Sequence, residues 1–436
     1  MTRKEVEKLS TEPYKGVRDF YPEEMSVQNH IWNVAREVVE RYGYEEYSAS
    51  LLEPSELYYA KTGEEIVNEQ TYTFTDRGGR DVTLRPEMTP TVARLVAAKR
   101  RELAFPLRWY SIPNLFRYER PQRGRLREHW QLNVDLFGAD TIEADAEIIT
   151  IVHAILQKYG LASEHYSISV SYAGMLKETL EREYTLAEEE AVRVIKLLDK
   201  FVKGDEVHLM GDEFKKALEE NMKNEKANVL YEVLQTKQFA DTLGKHAEHA
   251  YMAELVALLQ SEGIPAQTNI FLTRGFDYYT GMIFEVFDTN PSNNRSLFGG
   301  GRYNDLLSIF GVEKVSAVGF GMGDVTIRDV LETYNLIPKH LPKTKLLIIP
   351  HSSESIPACK KLAAKLRSEE ICVALQLLDK KTGDNFKYAE KHGIPFALIV
   401  GENEQALGNY TIKNITTQDQ TTLRQEEIPP WIKAQI

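Results

Sequence analysis

Apolar residues recur at helical spacing through Ile31, Val34, Ala35, Val38, Val39 and Tyr42, so residues 28–42 read as an amphipathic helix that Gly43 ends. Ile148, Ile149, Val152, Ile155, Leu156 and Tyr159 mark a second helix, closed by Gly160. Between them, residues 131–136 alternate: Gln131, Asn133 and Asp135 share one face, and Leu132, Val134 and Leu136 share the other. Residues 167–171 alternate in the same way. From about 175 to 262 the chain is dense in Glu, Lys, Leu and Ala and carries almost no strand signal. This stretch is expected to be helical, broken at Gly204 and Gly211, and inserted into the first domain, because strand-rich sequence resumes at Thr268.

Residues 336–344 form a Pro-punctuated linker. Beyond it the pattern runs strand 346–349, helix 356–368, strand 373–377, helix 385–392 and strand 396–400. That order implies parallel βαβ units and a separate α/β domain over 345–436. The first domain then spans 1–335, its mixed strands and helices pointing to an α+β core.

Composition narrows the class. Hydrophobic residues make up 42% and charged residues 27%, as in an ordinary globular chain. No apolar run approaches the roughly 18 residues of a membrane span, and residues 1–10 have no apolar segment of the kind that directs export. Cys359 and Cys372 are the only cysteines, too few for a disulfide framework or a Cys-based zinc site. They read as two small buried hydrophobes in a reducing cytoplasm. The net charge of −12 excludes indiscriminate nucleic-acid binding, so any nucleic acid must meet local basic patches on an acidic body.

One such patch is Arg117-Tyr118-Glu119-Arg120-Pro121-Gln122-Arg123-Gly124-Arg125-Leu126-Arg127, with five arginines in eleven residues. Pro121 and Gly124 suggest a loop between two strands. It is either an exposed basic loop or a set of guanidinium forks held over the polar 131–135 face to grip an anion. Leu84-Arg85-Pro86-Glu87-Met88-Thr89 reads as a strand entering a helix, where Glu87 and Thr89 could address an ammonium group or merely cap the helix. Arg274-Gly275-Phe276-Asp277-Tyr278-Tyr279-Thr280-Gly281 reads as a Tyr-rich strand ended by Gly281. If extended, Tyr278 and Tyr279 point to opposite faces and at most one meets a given ligand; both rings could equally be core. Gly299-Gly300-Gly301-Arg302-Tyr303 permits close backbone approach or a bulge.

Together these segments resemble the histidyl-tRNA synthetase family. The 117–127 loop is similar to motif 2 of class II aminoacyl-tRNA synthetases, and 274–281 and 299–303 are similar to the family's two histidine motifs. Lys15-Gly16-Val17-Arg18-Asp19 resembles its N-terminal signature, and Pro54 after a 44–52 strand resembles motif 1, which builds a homodimer interface. The resemblance implies an antiparallel sheet with flanking helices, a helical insertion and a C-terminal anticodon-binding α/β domain. It implies ATP with Mg²⁺, L-histidine and tRNA(His) as ligands, and a cytoplasmic enzyme. It gives Arg117 and Arg274 to the α-phosphate as catalytic residues, and Glu119 to ATP. Glu87, Thr89, Gln131, Asp135, Tyr278 and Tyr279 go to histidine, and Gln122, Arg123 and Arg125 to the acceptor end of tRNA. No fixed side-chain cluster for a metal is implied.

One motif departs. Residues 317–323 match the motif 3 strand, but Thr326 stands where the family places an arginine on adenine and the γ-phosphate. Arg328, about 200° further round a helix, substitutes only if the helix starts late. A second reading is therefore the synthetase-like regulatory paralogue of ATP phosphoribosyltransferase, although that paralogue generally lacks the C-terminal domain. A third is a class II synthetase for another amino acid.

Overall fold

The computed structural model describes residues 9–59, 70–201, 211–222, 224–234, 236–273, 278–293 and 296–435. Two compact units, Met1–Pro338 and Lys339–Ile436, divide the chain.

In the first unit the strands are β1 (Glu45–Glu46), β2 (Leu52–Pro54), β3 (Tyr72–Thr75), β4 (Asp81–Leu84), β5 (Leu107–Ser111) and β6 (Asn114–Phe116). They continue with β7 (Glu128–Phe137), β8 (Tyr166–Tyr172), β9 (Ala266–Thr268), β10 (Met282–Asp288), β11 (Ser296–Arg302) and β12 (Ala317–Gly323). Among the described residues, nine of them form one sheet in the order β1-β5-β7-β12-β11-β10-β8-β9, with β6 on β7. All its pairs are antiparallel except β1–β5 and β8–β9 at the edges. The separate β2-β4-β3 sheet is antiparallel.

Alternation fixes which face of the large sheet is core. Leu132, Val134 and Leu136 of β7 and Val318 and Met322 of β12 are buried with Ile148, Ile149, Val152 and Ile155 of the Ile142–Lys158 helix. The Pro22–Arg41 helix packs on the same face through Ile31, Ala35, Val38 and Val39. It begins six residues before the apolar period does, because Pro22 suits a first turn that needs no N–H donor. Six helices between Met175 and Ser261 make up the described part of the insertion; Gly211 precedes one of them, and Gly204 lies outside the described residues. Two strand assignments need correction. The expected 44–52 strand is two short strands, with Pro54 inside β2 rather than after it. Tyr278 and Tyr279 lie in a turn ahead of β10, not in a strand, so their side chains escape the alternation rule.

The buried guanidinium of Arg302 ties sheet to helix. Its Nε and Nη2 donate to Asp145 Oδ1 at 2.9 and 2.6 Å, and Nη1 donates to the Ala139 carbonyl at 2.9 Å. Tyr251 of the insertion donates to the other Asp145 oxygen at 2.6 Å, so one carboxylate joins three elements.

In the second unit, β13 (Leu346–Pro350), β14 (Val373–Leu375), β15 (Phe396–Val400), β16 (Asn409–Asn414) and β17 (Gln420–Arg424) form a five-stranded sheet in the order β14-β13-β15-β16-β17. β13 is parallel to β14 and β15, while β16 and β17 add an antiparallel edge whose weak apolar signal had not marked them as strands. Leu346 and Ile348 face one apolar cluster and Leu347 and Ile349 another, as expected of strands covered on both faces. Cys359 is buried as expected, but Cys372 is exposed because Ile371 and Val373 on either side of it take the inward positions.

Replacing Arg302 with Ala leaves the buried Asp145 without its cationic partner, and is expected to lower unfolding stability by about 3–5 kcal/mol. Urea unfolding of the full chain measures this; a loss under about 1 kcal/mol would show the network to be dispensable.

Candidate active site

Three central strands pave the face of the sheet opposite the core. Asp135 and Asn133 of β7 lie across from Gly319 and Gly321 of β12, which lie across from Gly301 and Gly299 of β11. The glycines make room for long polar neighbours. A Cβ on Gly319 would stand 2.5 Å from Asp135 Oδ1, and one on Gly321 would overlap the Gln131 amide.

Over this floor lies a partly open cavity lined by Glu87, Thr89, Arg117, Gln131, Asn133, Asp135, Tyr278, Tyr279 and Tyr303 together with the glycine-rich strands. At one end the Tyr278 hydroxyl donates to Glu87 Oε2 at 3.1 Å and lies 3.4 Å from Thr89 Oγ1. Glu87 sits in the turn between β4 and the Thr89–Ala98 helix, whose start has no side-chain cap, so capping does not account for either residue. At the other end the Tyr303 hydroxyl donates to Asp135 Oδ1, while the buried Oδ2 has no hydrogen-bond partner among the described residues. Burial pushes the Asp135 carboxyl up to about 7, against which the Tyr303 hydrogen bond acts. The Tyr278 and Tyr303 rings meet edge to face at 5.8 Å and join the two ends. Their hydroxyls titrate far above the usual tyrosine range, because burial and the adjacent carboxylates disfavour a phenolate.

Both Tyr278 and Tyr279 line the cavity, their ring centroids 4.8 Å apart, which corrects the expectation that only one could. The loop arginines are not all suspended over the floor. Arg117, whose Nε donates to the Pro86 carbonyl at 2.9 Å, is the only cationic side chain in the wall among the described residues. Arg123 pairs with Asp329 at 3.0 Å, Arg125 with Glu119 at 3.7 Å, and Arg127 stacks on Tyr118 at 4.2 Å. Gln122, Arg123 and Arg125 are exposed and, like Glu119, lie outside the cavity wall. Arg274 falls outside the described residues. Tyr303 and Asn133 had not been singled out; Tyr303 was legible in the Gly299–Tyr303 motif, and Asn133 in the polar face of β7. Among the described residues no group of three or more His, Cys, Asp or Glu could hold a metal ion.

Motif 3 is also defined by the structure. The Asp324–Thr333 helix starts directly after β12, so no late start brings Arg328 round; Arg328 pairs with Glu332 on its own helix at 2.9 Å. Thr326 turns its hydroxyl to the Leu297 carbonyl at 2.7 Å.

A largely antiparallel sheet with flanking helices, carrying a polar cavity over its glycine-rich face, is the catalytic core of a class II synthetase-like protein. The family profile described as histidyl-tRNA synthetase matches residues 16–325, and that of an anticodon binding domain matches residues 345–435. A histidine–tRNA ligase from Leptospira biflexa is 40% identical over 99% of both chains. The apo histidyl-tRNA synthetase of S. aureus superposes with a TM-score of 0.73 at 25% identity, covering 98% of this chain and 100% of that one. A Bacillus halodurans structure described as an ATP phosphoribosyltransferase regulatory subunit/histidyl-tRNA synthetase gives 0.70 at 25% identity, over 91% and 100%. The chain belongs to the histidyl-tRNA synthetase family.

Because the Asp135 carboxyl is raised from 3.8 to about 7, folding favours its neutral form. Its stabilising contribution is therefore complete below about pH 3.8 and is lost as pH rises through about 7. Asp135→Asn, which cannot ionise, should show a smaller fall in thermal midpoint than the parent chain between pH 5 and pH 8. Parallel curves would refute the shift.

Proposed function

We propose that this chain is a histidine–tRNA ligase: it activates L-histidine with ATP and transfers it to the 3′ end of tRNA(His). The observation that carries this reading is the single cavity with an ammonium-type end at Glu87 and Thr89 and a ring-type end at Asp135 and Gln131. Glu87, Thr89 and the Tyr278 hydroxyl hold the α-amino group. Tyr303 occupies one Asp135 oxygen, leaving the other to meet an imidazole N–H, with Gln131 and Tyr279 shaping the rest. A ligand without that N–H leaves a buried polar atom unpaired, which is worth roughly 10⁴-fold or more in discrimination.

Arg117 lines the same cavity and is the residue on which the histidine carboxylate and the α-phosphate of ATP would meet. The carboxylate attacks the α-phosphorus in line, giving histidyl-adenylate and pyrophosphate, and needs no protein base because it is already ionised. Arg117 and Arg274 neutralise the charge that develops, and Glu119 contributes on the nucleotide side. Mg²⁺, which would come with the nucleotide rather than be held by a side-chain cluster of this chain, would supply further charge neutralisation. The ribose hydroxyl at the tRNA 3′ end then attacks the acyl carbon and AMP leaves. Exposed Gln122, Arg123 and Arg125 suit the acceptor end, and the 345–436 unit suits the anticodon. Leu52, Tyr59 and Phe74 are exposed on and beside the β2-β4-β3 sheet, a face fitted to a second copy in a homodimer. The described helices include none long and apolar enough to cross a membrane, which accords with a cytoplasmic enzyme.

The likeness to the Bacillus halodurans protein, with Thr326 in motif 3, keeps a regulatory role as the second reading. ATP–pyrophosphate exchange with each amino acid in turn separates the two. Exchange with histidine alone is expected; exchange with no amino acid would favour the regulator, and exchange with a different one would reassign the pocket. Arg274→Ala is expected to abolish exchange without lowering the thermal midpoint, and near-normal exchange would remove that residue from the mechanism. Asp135→Asn should raise the KM for histidine by about tenfold or more, with little change in that for ATP.

A further inference from the structure

The row Gln131, Asn133, Asp135 on the floor strand continues outward to His129, beyond the cavity wall. Burial, aided by the guanidiniums of Arg117 from the loop and Arg18 from the N-terminal segment, pushes the His129 imidazole down to about 3, so it is neutral. Arg18 reaches this point because the first residue of the motif 3 helix holds it. Asp324 is fully buried; its Oδ2 accepts from Arg18 Nη2 at 2.7 Å and from Gln28 Nε2 at 3.0 Å, and its Oδ1 accepts from the Trp130 N–H at 3.1 Å. Arg18 Nε is buried and has no hydrogen-bond partner among the described residues, and the side chain is only 20% exposed. Phe20, with the Arg18 guanidinium 5.0 Å from its ring centroid, packs edge-on against Trp130 and backs the arrangement.

The need for a cation here is chemical. A triphosphate entering beside Arg117 meets no other positive side chain in the described wall. The motif 3 helix supplies none: Thr326 bonds to a backbone carbonyl, and Arg328 is engaged with Glu332. From these placements we infer that Arg18 is a nucleotide-binding residue of this chain, supplying from the N-terminal segment the guanidinium that position 326 lacks, with Asp324 as its positioning residue. The partner is the ATP of the activation step, so the inference rests on the function proposed above. A guanidinium carried by Asp324 is fixed by the same helix start that would otherwise bear an arginine, which keeps the cation at that end of the site although its origin in the chain has moved.

The test is pyrophosphate exchange by the full-length protein, with ATP varied at saturating histidine and histidine varied at saturating ATP. Arg18→Met combined with Asp324→Asn removes the guanidinium without leaving a buried, unpaired carboxylate, and thermal unfolding checks that the fold survives. The expected result is a KM for ATP raised about tenfold or more, with the KM for histidine within about twofold of the parent value. Arg18→Lys should fall between the two. Introducing Thr326→Arg into the double variant should recover much of the loss. Equal changes in the two KM values, no change in either, or loss of folding without a selective ATP effect in Arg18→Lys would each overturn the assignment. A parent protein without exchange would overturn the function itself, a separate outcome.

Discussion

The cavity exists because two neighbouring strands, β12 and β11, carry no side chains beside the long polar residues of β7. Sheets ordinarily fill both faces, and a face left bare of Cβ atoms loses packing and gains backbone entropy on unfolding. Gly299, Gly301, Gly319 and Gly321 accept that cost at the centre of the sheet, where flanking strands hold the backbone in place. What the omission provides is depth: Gln131 and Asp135 extend over backbone rather than over other side chains, and their polar ends reach the cavity. The opposite face compensates with Leu132, Val134 and Leu136 in the main core.

Two carboxylate networks hold this floor at its ends. Arg302 closes β11 onto Asp145, and the next residue, Tyr303, then lies beside Asp135. At the other end Asp324 closes β12 onto the N-terminal segment and onto β7 through the Trp130 N–H. Both are buried ion pairs, whose net contribution to stability is small but whose geometry is exacting. They fix where the functional side chains point more than how stable the chain is.

The amphipathic helices, the alternation of β7 and the βαβ order of the second unit were legible because each is a period repeated over several residues. The parts that were not legible lack a period. The turn holding Tyr278 and Tyr279 has no local marker, and alternation applied to it gave opposite faces where the structure gives one wall. The fate of the loop arginines was hidden because it depends on Asp329, Glu119 and Tyr118, which only the fold brings to them. Asp324 reads in sequence as an ordinary acidic residue of a first helical turn, and nothing local connects it with Arg18, 306 positions away.

The pairing of β7 with β12 also governs how the molecule comes into being. β7 is complete at Phe137, yet the strand that covers its inner edge ends at Gly323. During synthesis at ~5–20 residues per second, that edge waits about 10–40 s with unpaired N–H and C=O groups and an apolar face beside them. The insertion helices emerge and bury their own apolar stripes in this interval, before the floor can close. A nascent chain in this state is a template for pairing with other strands, so its yield in the cell should depend on chaperone occupancy more than the stability of the finished fold would suggest.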